Sequence, residues 1–290
     1  DDPPAEAIAD RVRRAIGVPL EVEVLSTYAW TAGVALHAER FGEGRVQMAG
    51  DAVHLFTPTG GFGMNTGVDD TANLSWKLAA LVQGWGGANL LASYEAERKP
   101  VAIRNTTAAR ALARNVGSVT IPPDVEADTP AGAAARRELG AFLATFGEEF
   151  ASIGVQLGAR YDASPLVLAD GTPPEDDYIT YRPSGVPGGR APHLWLDEGR
   201  GTGSSLYDRL GIGFTLLRLG ADAPDAAPFT AAAARLGIPF TVLDVALPAA
   251  RPLYGRALAL IRPDQHIAWR GDTLPADPAQ VLKTATGHAA

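Results

Sequence analysis

One stretch limits the fold of this chain more than any other. Arg45 to Ala49 reads as a short apolar strand that runs straight into Gly50 and Asp51. A Gly/Pro/Thr loop follows from Leu55 to Gly63, and a long helix then runs from about Asn65 to Gln83. Val68, Ala72, Ser75, Leu78, Ala79 and Val82 fall on one face of that helix at helical spacing. A strand feeding a glycine loop and a helix is a unit of α/β folds, and ligands sit outside the carboxyl ends of such strands.

The residue types at that strand end suit a particular ligand. The short carboxylate of Asp51 can accept hydrogen bonds from sugar-like hydroxyls. Gly60, Gly61 and Gly63 let the backbone approach a flat ring closely. Free amides near Met64 and Asn65, together with the helix dipole, favour negative charge. These parts fit a flavin, with Asp51 on a ribityl hydroxyl and the amides at the pyrimidine edge, where the reduced ring carries its anionic charge. Taken singly, Asp51 could be a surface or capping carboxylate and the glycines plain turn residues. Their order beside a helix start favours cofactor contact. His54 reads as a satisfied structural histidine rather than a general base, and His37 and His193 carry no assigned chemistry. On the long helix Trp76 is expected to pack and Lys77 to be solvated, while Arg262 to Arg270 reads as a strand edge with a turn.

Elsewhere, Ala5 to Ile16 is a helix candidate ended by Gly17 and Pro19, and Leu20 to Trp30 and Val34 to Phe41 alternate as strands. Leu90 to about Val116 is helical, with Pro100 expected to start or kink it. Ile121 to Pro130 is a proline-rich acidic connector, and Ala131 to Leu157 is helical. From Tyr161 the texture changes to short strands at Phe214 to Leu219, Phe240 to Val245 and Ala257 to Ile261, with a helix at Phe229 to Leu236. The expected organisation is therefore 1–120, a connector with a helix at 121–160, and a smaller α/β domain at 161–290.

Composition excludes several functions. A net charge of −8, with Lys and Arg scattered along the chain, leaves no footprint for nucleic acid or an anionic membrane. No apolar run approaches the roughly 20 residues of a membrane span, and a cytoplasmic location is expected. The absence of cysteine removes disulfides, thiolate metal sites and redox dithiols together. The chain opens at Asp1 without Met, and its first residues are not a signal peptide, so a partial or processed sequence is expected.

Gly50-Asp51-Ala52-Val53-His54, the Pro58 to Gly63 loop and the Asn73-Leu74-Ser75-Trp76-Lys77-Leu78 helix together resemble the second flavin motif of the class A flavoprotein monooxygenases, the para-hydroxybenzoate hydroxylase superfamily. Val53 stands where that family commonly has Ala. Trp30 and Ala38 to Phe41 also resemble the family's approach to the motif. Gly189 to Leu196, Leu206 to Arg209, Gly213 to Leu217 and Arg262 to Arg270 resemble its phenol-hydroxylase and polyketide-hydroxylase branch.

The resemblance implies the C-terminal portion of a Rossmann-like FAD/NAD(P)-binding hydroxylase domain, followed by a thioredoxin-like domain without cysteines that serves structure or homodimer contact. It implies FAD bound by Gly50, Asp51, Pro58, Gly60, Gly61, Gly63, Met64 and Asn65, with Pro58 also lining the reacting ring face. It further implies NADH or NADPH as co-substrate and O2 transfer through a flavin hydroperoxide to a phenolic or polyketide ring. The family's Gly-x-Gly-x-x-Gly fingerprint does not occur, its middle Asp-Gly motif is missing from a matching position, and both would lie upstream of Asp1. Two alternatives stand beside this reading: a non-catalytic binding or assembly module, and a flavin enzyme that performs epoxidation or Baeyer–Villiger oxidation.

Overall fold

The computed structural model describes residues 3–28, 34–149 and 151–288. It divides into two compact units, Asp1–Gly33 and Val34–Ala290. The first contains α1 (Ala5–Ile16), which ends where Gly17 turns left-handed at φ 76° and donates to the Arg13 carbonyl at 2.9 Å. The strand expected from Leu20 is not formed over 20–28. Alternation alone cannot hold an extended segment whose N–H and C=O groups lack a ladder partner. Ala29 and Trp30 lie outside the described residues.

The second unit opens with two small antiparallel pairs. β1 (Leu36–His37) pairs with β4 (His54–Leu55), and β2 (Gly42–Glu43) pairs with β3 (Val46–Gln47) around Gly44. The strands expected at Val34 to Phe41 and Arg45 to Ala49 thus shrink to two residues each. Single-turn 3₁₀ segments follow at Gly50–Ala52 and Thr59–Gly61. α2 (Phe62–Gln83) starts three residues before the expected point, directly after the left-handed Gly61. α3 (Asn89–Gly117) runs through Pro100, which neither starts nor ends it. After the irregular connector come α4 (Pro130–Leu143), capped by Thr129, and α5 (Ile153–Leu157).

The C-terminal part comprises α6 (Leu206–Arg209), β5 (Phe214–Leu219), α7 (Ala227–Leu236), β6 (Phe240–Val245), α8 (Ala250–Tyr254), β7 (Leu258–Ile261), β8 (Ile267–Gly271) and α9 (Pro278–Ala285). The sheet order is β6-β5-β7-β8. β5 and β6 are parallel, and the β7–β8 hairpin is antiparallel to β5. The C-terminal part is thus a βαβ unit followed by an antiparallel hairpin and a helix.

The main apolar core crosses the boundaries expected at 120 and 160. Trp76, Ala80, Trp85 and Leu90 share it with Phe214, Leu216, Leu258 and Leu260. Trp76 and Trp85 stack at 6.3 Å, and both meet the Phe214 ring edge-on. Helices α2 and α3 are therefore packed as one body with the C-terminal sheet.

The burial of α2 reverses what its sequence suggests. The apolar stripe read from spacing is on the exposed side, with Val82 88 % and Val68 57 % exposed. The opposite face is buried, and it carries Thr66, Asp70, Asn73 and Lys77 alongside Leu74, Trp76 and Ala80. Lys77, expected to be solvated, is fully buried.

Candidate functional site

The Gly50 to Asn65 segment folds as a turn, a loop and an open helix start. Gly50 adopts φ 61°, and its 3₁₀ turn leaves Asp51 exposed. The turn lies against α2: a Cβ on Gly67 would stand only 3.2 Å from Gly50 Cα. Gly60 and Gly61 adopt φ 81° and 67°, values that L side chains rarely take. Pro58 is exposed, and its carbonyl accepts the Gly61 amide at 3.3 Å.

No side chain caps the N-terminus of α2. The first amides of a helix lack intrahelical partners and carry the positive end of its dipole. Asn65 donates from its side chain to the Gly61 carbonyl at 2.9 Å, which fixes the loop without blocking those amides. Met64 projects outward, 78 % exposed. Two polar atoms beside the loop, His54 Nδ1 and Thr57 Oγ1, are buried without a partner. The set therefore combines an exposed hydroxyl acceptor, a side-chain-free loop and uncapped donors, which is the chemistry that a flavin's ribityl chain and anionic ring edge require.

Behind this surface lies a buried polar layer that sequence reading missed. Asp70 of α2 accepts from the Gly50 amide at 3.1 Å, from His54 Nε2 at 2.5 Å and from Arg98 Nε at 2.7 Å. Burial alone would raise the Asp70 carboxyl. The His54 hydrogen bond and the Arg98 charge outweigh it and hold the carboxyl below its ordinary range. His54 is buried against Asp70, and only one of its two ring nitrogens is bonded, so it is not the fully satisfied histidine that the sequence suggested.

A second cluster joins α2 and α3 to the β7–β8 turn. Glu97 accepts from Lys77 at 2.6 Å, Asn73 at 2.7 Å, Ser164 at 2.5 Å and both Arg262 Nη atoms at 2.6 and 2.8 Å. Asp264 accepts from Arg262 and from Trp76 Nε1 at 3.2 Å. Two carboxylates and two cations balance there. Burial, only partly offset by Glu97, lowers the Lys77 ammonium to about 8. One signal was available in the sequence: Thr66, Asp70, Asn73 and Lys77 recur at four, three and four residues, a helical stripe of their own. Spacing reveals such a face without saying whether it points inward.

Residues 1–109 match a family described as FAD binding domain, and residues 184–289 match one described as aromatic-ring hydroxylase, C-terminal. The FAD-dependent monooxygenase opdD of Penicillium oxalicum is 33 % identical over 98 % of this chain and 56 % of its own length. Phenol 2-monooxygenase of a Pseudomonas species is 32 % identical over 93 % of this chain and 50 % of its own. The solved structure of the rebeccamycin biosynthetic enzyme RebC with reduced flavin matches with a TM-score of 0.86 and 38 % identity, over 97 % of this chain and 52 % of that one. The chain spans about half the length of the curated relatives it matches. Among the described residues no helix is long and apolar enough to cross a membrane.

Proposed function

Because the chain belongs to the FAD-dependent aromatic-ring hydroxylases, we propose that its Gly50 to Asn65 segment holds the ribityl and isoalloxazine end of FAD, in an enzyme that hydroxylates a phenolic or polyketide-derived ring with O2 and NAD(P)H. The observation that carries this reading is the uncapped start of α2 beside the exposed Asp51 across a glycine loop. Bound FAD would supply the redox chemistry.

The residues of this chain would bind and orient the cofactor. Asp51 would accept a ribityl hydroxyl, while Gly50 keeps that turn free of side chain. Gly60, Gly61 and Gly63 would admit the ring edge to the backbone. The free amides at the start of α2, up to Met64, would stabilise negative charge at the pyrimidine edge without reorganisation. Pro58 would line the ring face towards substrate and help keep water out.

In a flavin-loaded form that spans the full length of the relatives, Asp51→Ala should weaken FAD binding about ten- to hundredfold. A hydrogen bond to a charged acceptor contributes ~1.5–3 kcal/mol. Asp51 is exposed in this structure, so the melting temperature of the apoprotein should change little. Asp51→Asn should fall between the two, keeping an acceptor but losing the charge. Isothermal titration beside apoprotein melting makes the test; unchanged FAD affinity with early melting would mark Asp51 as a structural residue and refute the placement.

The present chain alone should bind FAD weakly and be nearly colourless, because it lacks the Gly-x-Gly-x-x-Gly that would cradle the pyrophosphate. Fluorescence titration should show no saturation at stoichiometric FAD. Tight one-to-one binding would mean that these residues hold the adenine end as well.

A further inference from the structure

The two arms of the proposed flavin site are separate in sequence, and both end on one buried ion pair. The first arm is the Gly50 turn, whose amide donates to Asp70 at 3.1 Å. The second is the start of α2, where Arg98 Nη2 donates to the Thr66 carbonyl at 3.2 Å. Arg98 Nε closes the link by donating to Asp70 at 2.7 Å. Both side chains are essentially inaccessible to solvent. The third Arg98 nitrogen donates to the Tyr161 hydroxyl at 3.1 Å, and Tyr161 stacks on His266 of the β7–β8 turn at 4.1 Å. Asn105, two turns beyond Arg98 on α3, adds a bond to Thr66 Oγ1 at 3.0 Å.

We propose that the Arg98–Asp70 pair is the positioning element of the flavin site: it sets the distance and angle between the Gly50–Asp51 turn and the first amides of α2. The inference rests on the placement of FAD given above. Neither residue touches the cofactor; both act through backbone groups, Gly50 on one side and Thr66 on the other. Arginine suits this task because its rigid fork bonds a carboxylate and a carbonyl at once from fixed directions, whereas a lysine ammonium is a single point on a flexible stem. The same fork reaches Tyr161, so the geometry of the site is referred to the C-terminal half of the molecule.

Arg98→Lys in the same flavin-loaded, full-length form is the direct test, because it keeps the buried cation. FAD affinity, the midpoint potential of the bound flavin and the apoprotein melting temperature are measured together. The FAD dissociation constant should rise about tenfold, the scale of one charge-assisted hydrogen bond. The midpoint potential should also shift, since the α2 amides would no longer meet the ring edge as before. A lower melting temperature with unchanged affinity and potential would make the pair a purely structural one and overturn the proposal.

Asp70→Asn keeps an acceptor for the Gly50 amide but weakens the hold on Arg98. It carries the test if Arg98→Lys does not fold: an intermediate loss of affinity supports the proposal and parental affinity overturns it. Asp51→Ala measured alongside separates two failures. Parental affinity in Asp51→Ala as well refutes the placement of the flavin, whereas a loss there with none in Arg98→Lys or Asp70→Asn refutes only the positioning role.

Discussion

Glu97→Ala should destabilise the Val34–Ala290 unit by about 3–5 kcal/mol, the cost of removing one partner from a buried ion pair. Glu97 is the shared acceptor of Lys77, Arg262, Asn73 and Ser164, and all four contacts are lost together. The change would leave two buried cations with Asp264 as the nearest counter-charge, and neither Lys77 nor Arg262 has a solvent-exposed side chain. The effect should reach both halves of the molecule, because Glu97 lies on α3 and Arg262 follows β7. Lys77→Met should cost less than Glu97→Ala, because Glu97 keeps both of its Arg262 bonds and the methionine stem fills the space, although one cation of the balanced cluster is lost. Urea unfolding of the two variants makes the comparison. A loss below ~1 kcal/mol for Glu97→Ala would show that water reaches the cluster and solvates the orphaned cations.

Stability should also fall as the pH drops from about 6.5 to about 4, by up to ~3 kcal/mol, through His266. Burial pushes the His266 imidazole down to about 4, against the pull of Asp264, whose backbone carbonyl bonds Nδ1 at 3.0 Å. Arg262 adds repulsion, and the Tyr161 ring covers one face. Between the two values the unfolded chain holds a proton that the folded protein refuses, so protons favour unfolding there and stability rises with pH. Below about 4 a second loss begins. The carboxyls of Asp70 and Asp264 are held below their ordinary range in the fold, so their contributions are complete above it and vanish as they protonate. His266→Gln should flatten the profile between pH 6.5 and 4 and leave the steeper acid limb in place. An identical slope in that variant would assign the proton uptake to another group.

Much of this molecule was legible before any fold was known. Ala5–Ile16, Phe214–Leu219 and Phe240–Val245 form as their periodicity and flanking glycines or prolines indicate, because local spacing and chain-breaking residues act within a few positions. The Gly50 to Asn65 segment was legible for a similar reason. Positive φ at Gly50, Gly60 and Gly61 is a backbone demand that the sequence meets with glycine. The strands at Val34 to Phe41 and Arg45 to Ala49 were overextended because a strand's length is set by its partner, and β4 and β2 each offer two residues.

What the sequence by itself determined is therefore the set of parts: a glycine loop that opens onto a long helix, a carboxylate before it, and a C-terminal pair of strands flanking a helix with a third strand after them. What only the tertiary structure decided is which way those parts face. α2 carries one apolar stripe and one polar stripe, and their spacing is equally helical. The polar one turned inward because Arg98, Glu97, Arg262 and Asp264, distant in sequence, supply the charges and hydrogen bonds that a buried Asp70 and Lys77 require. A buried charge is acceptable only beside its partners, and partners 28 or 165 residues away exist for it only once the chain has folded.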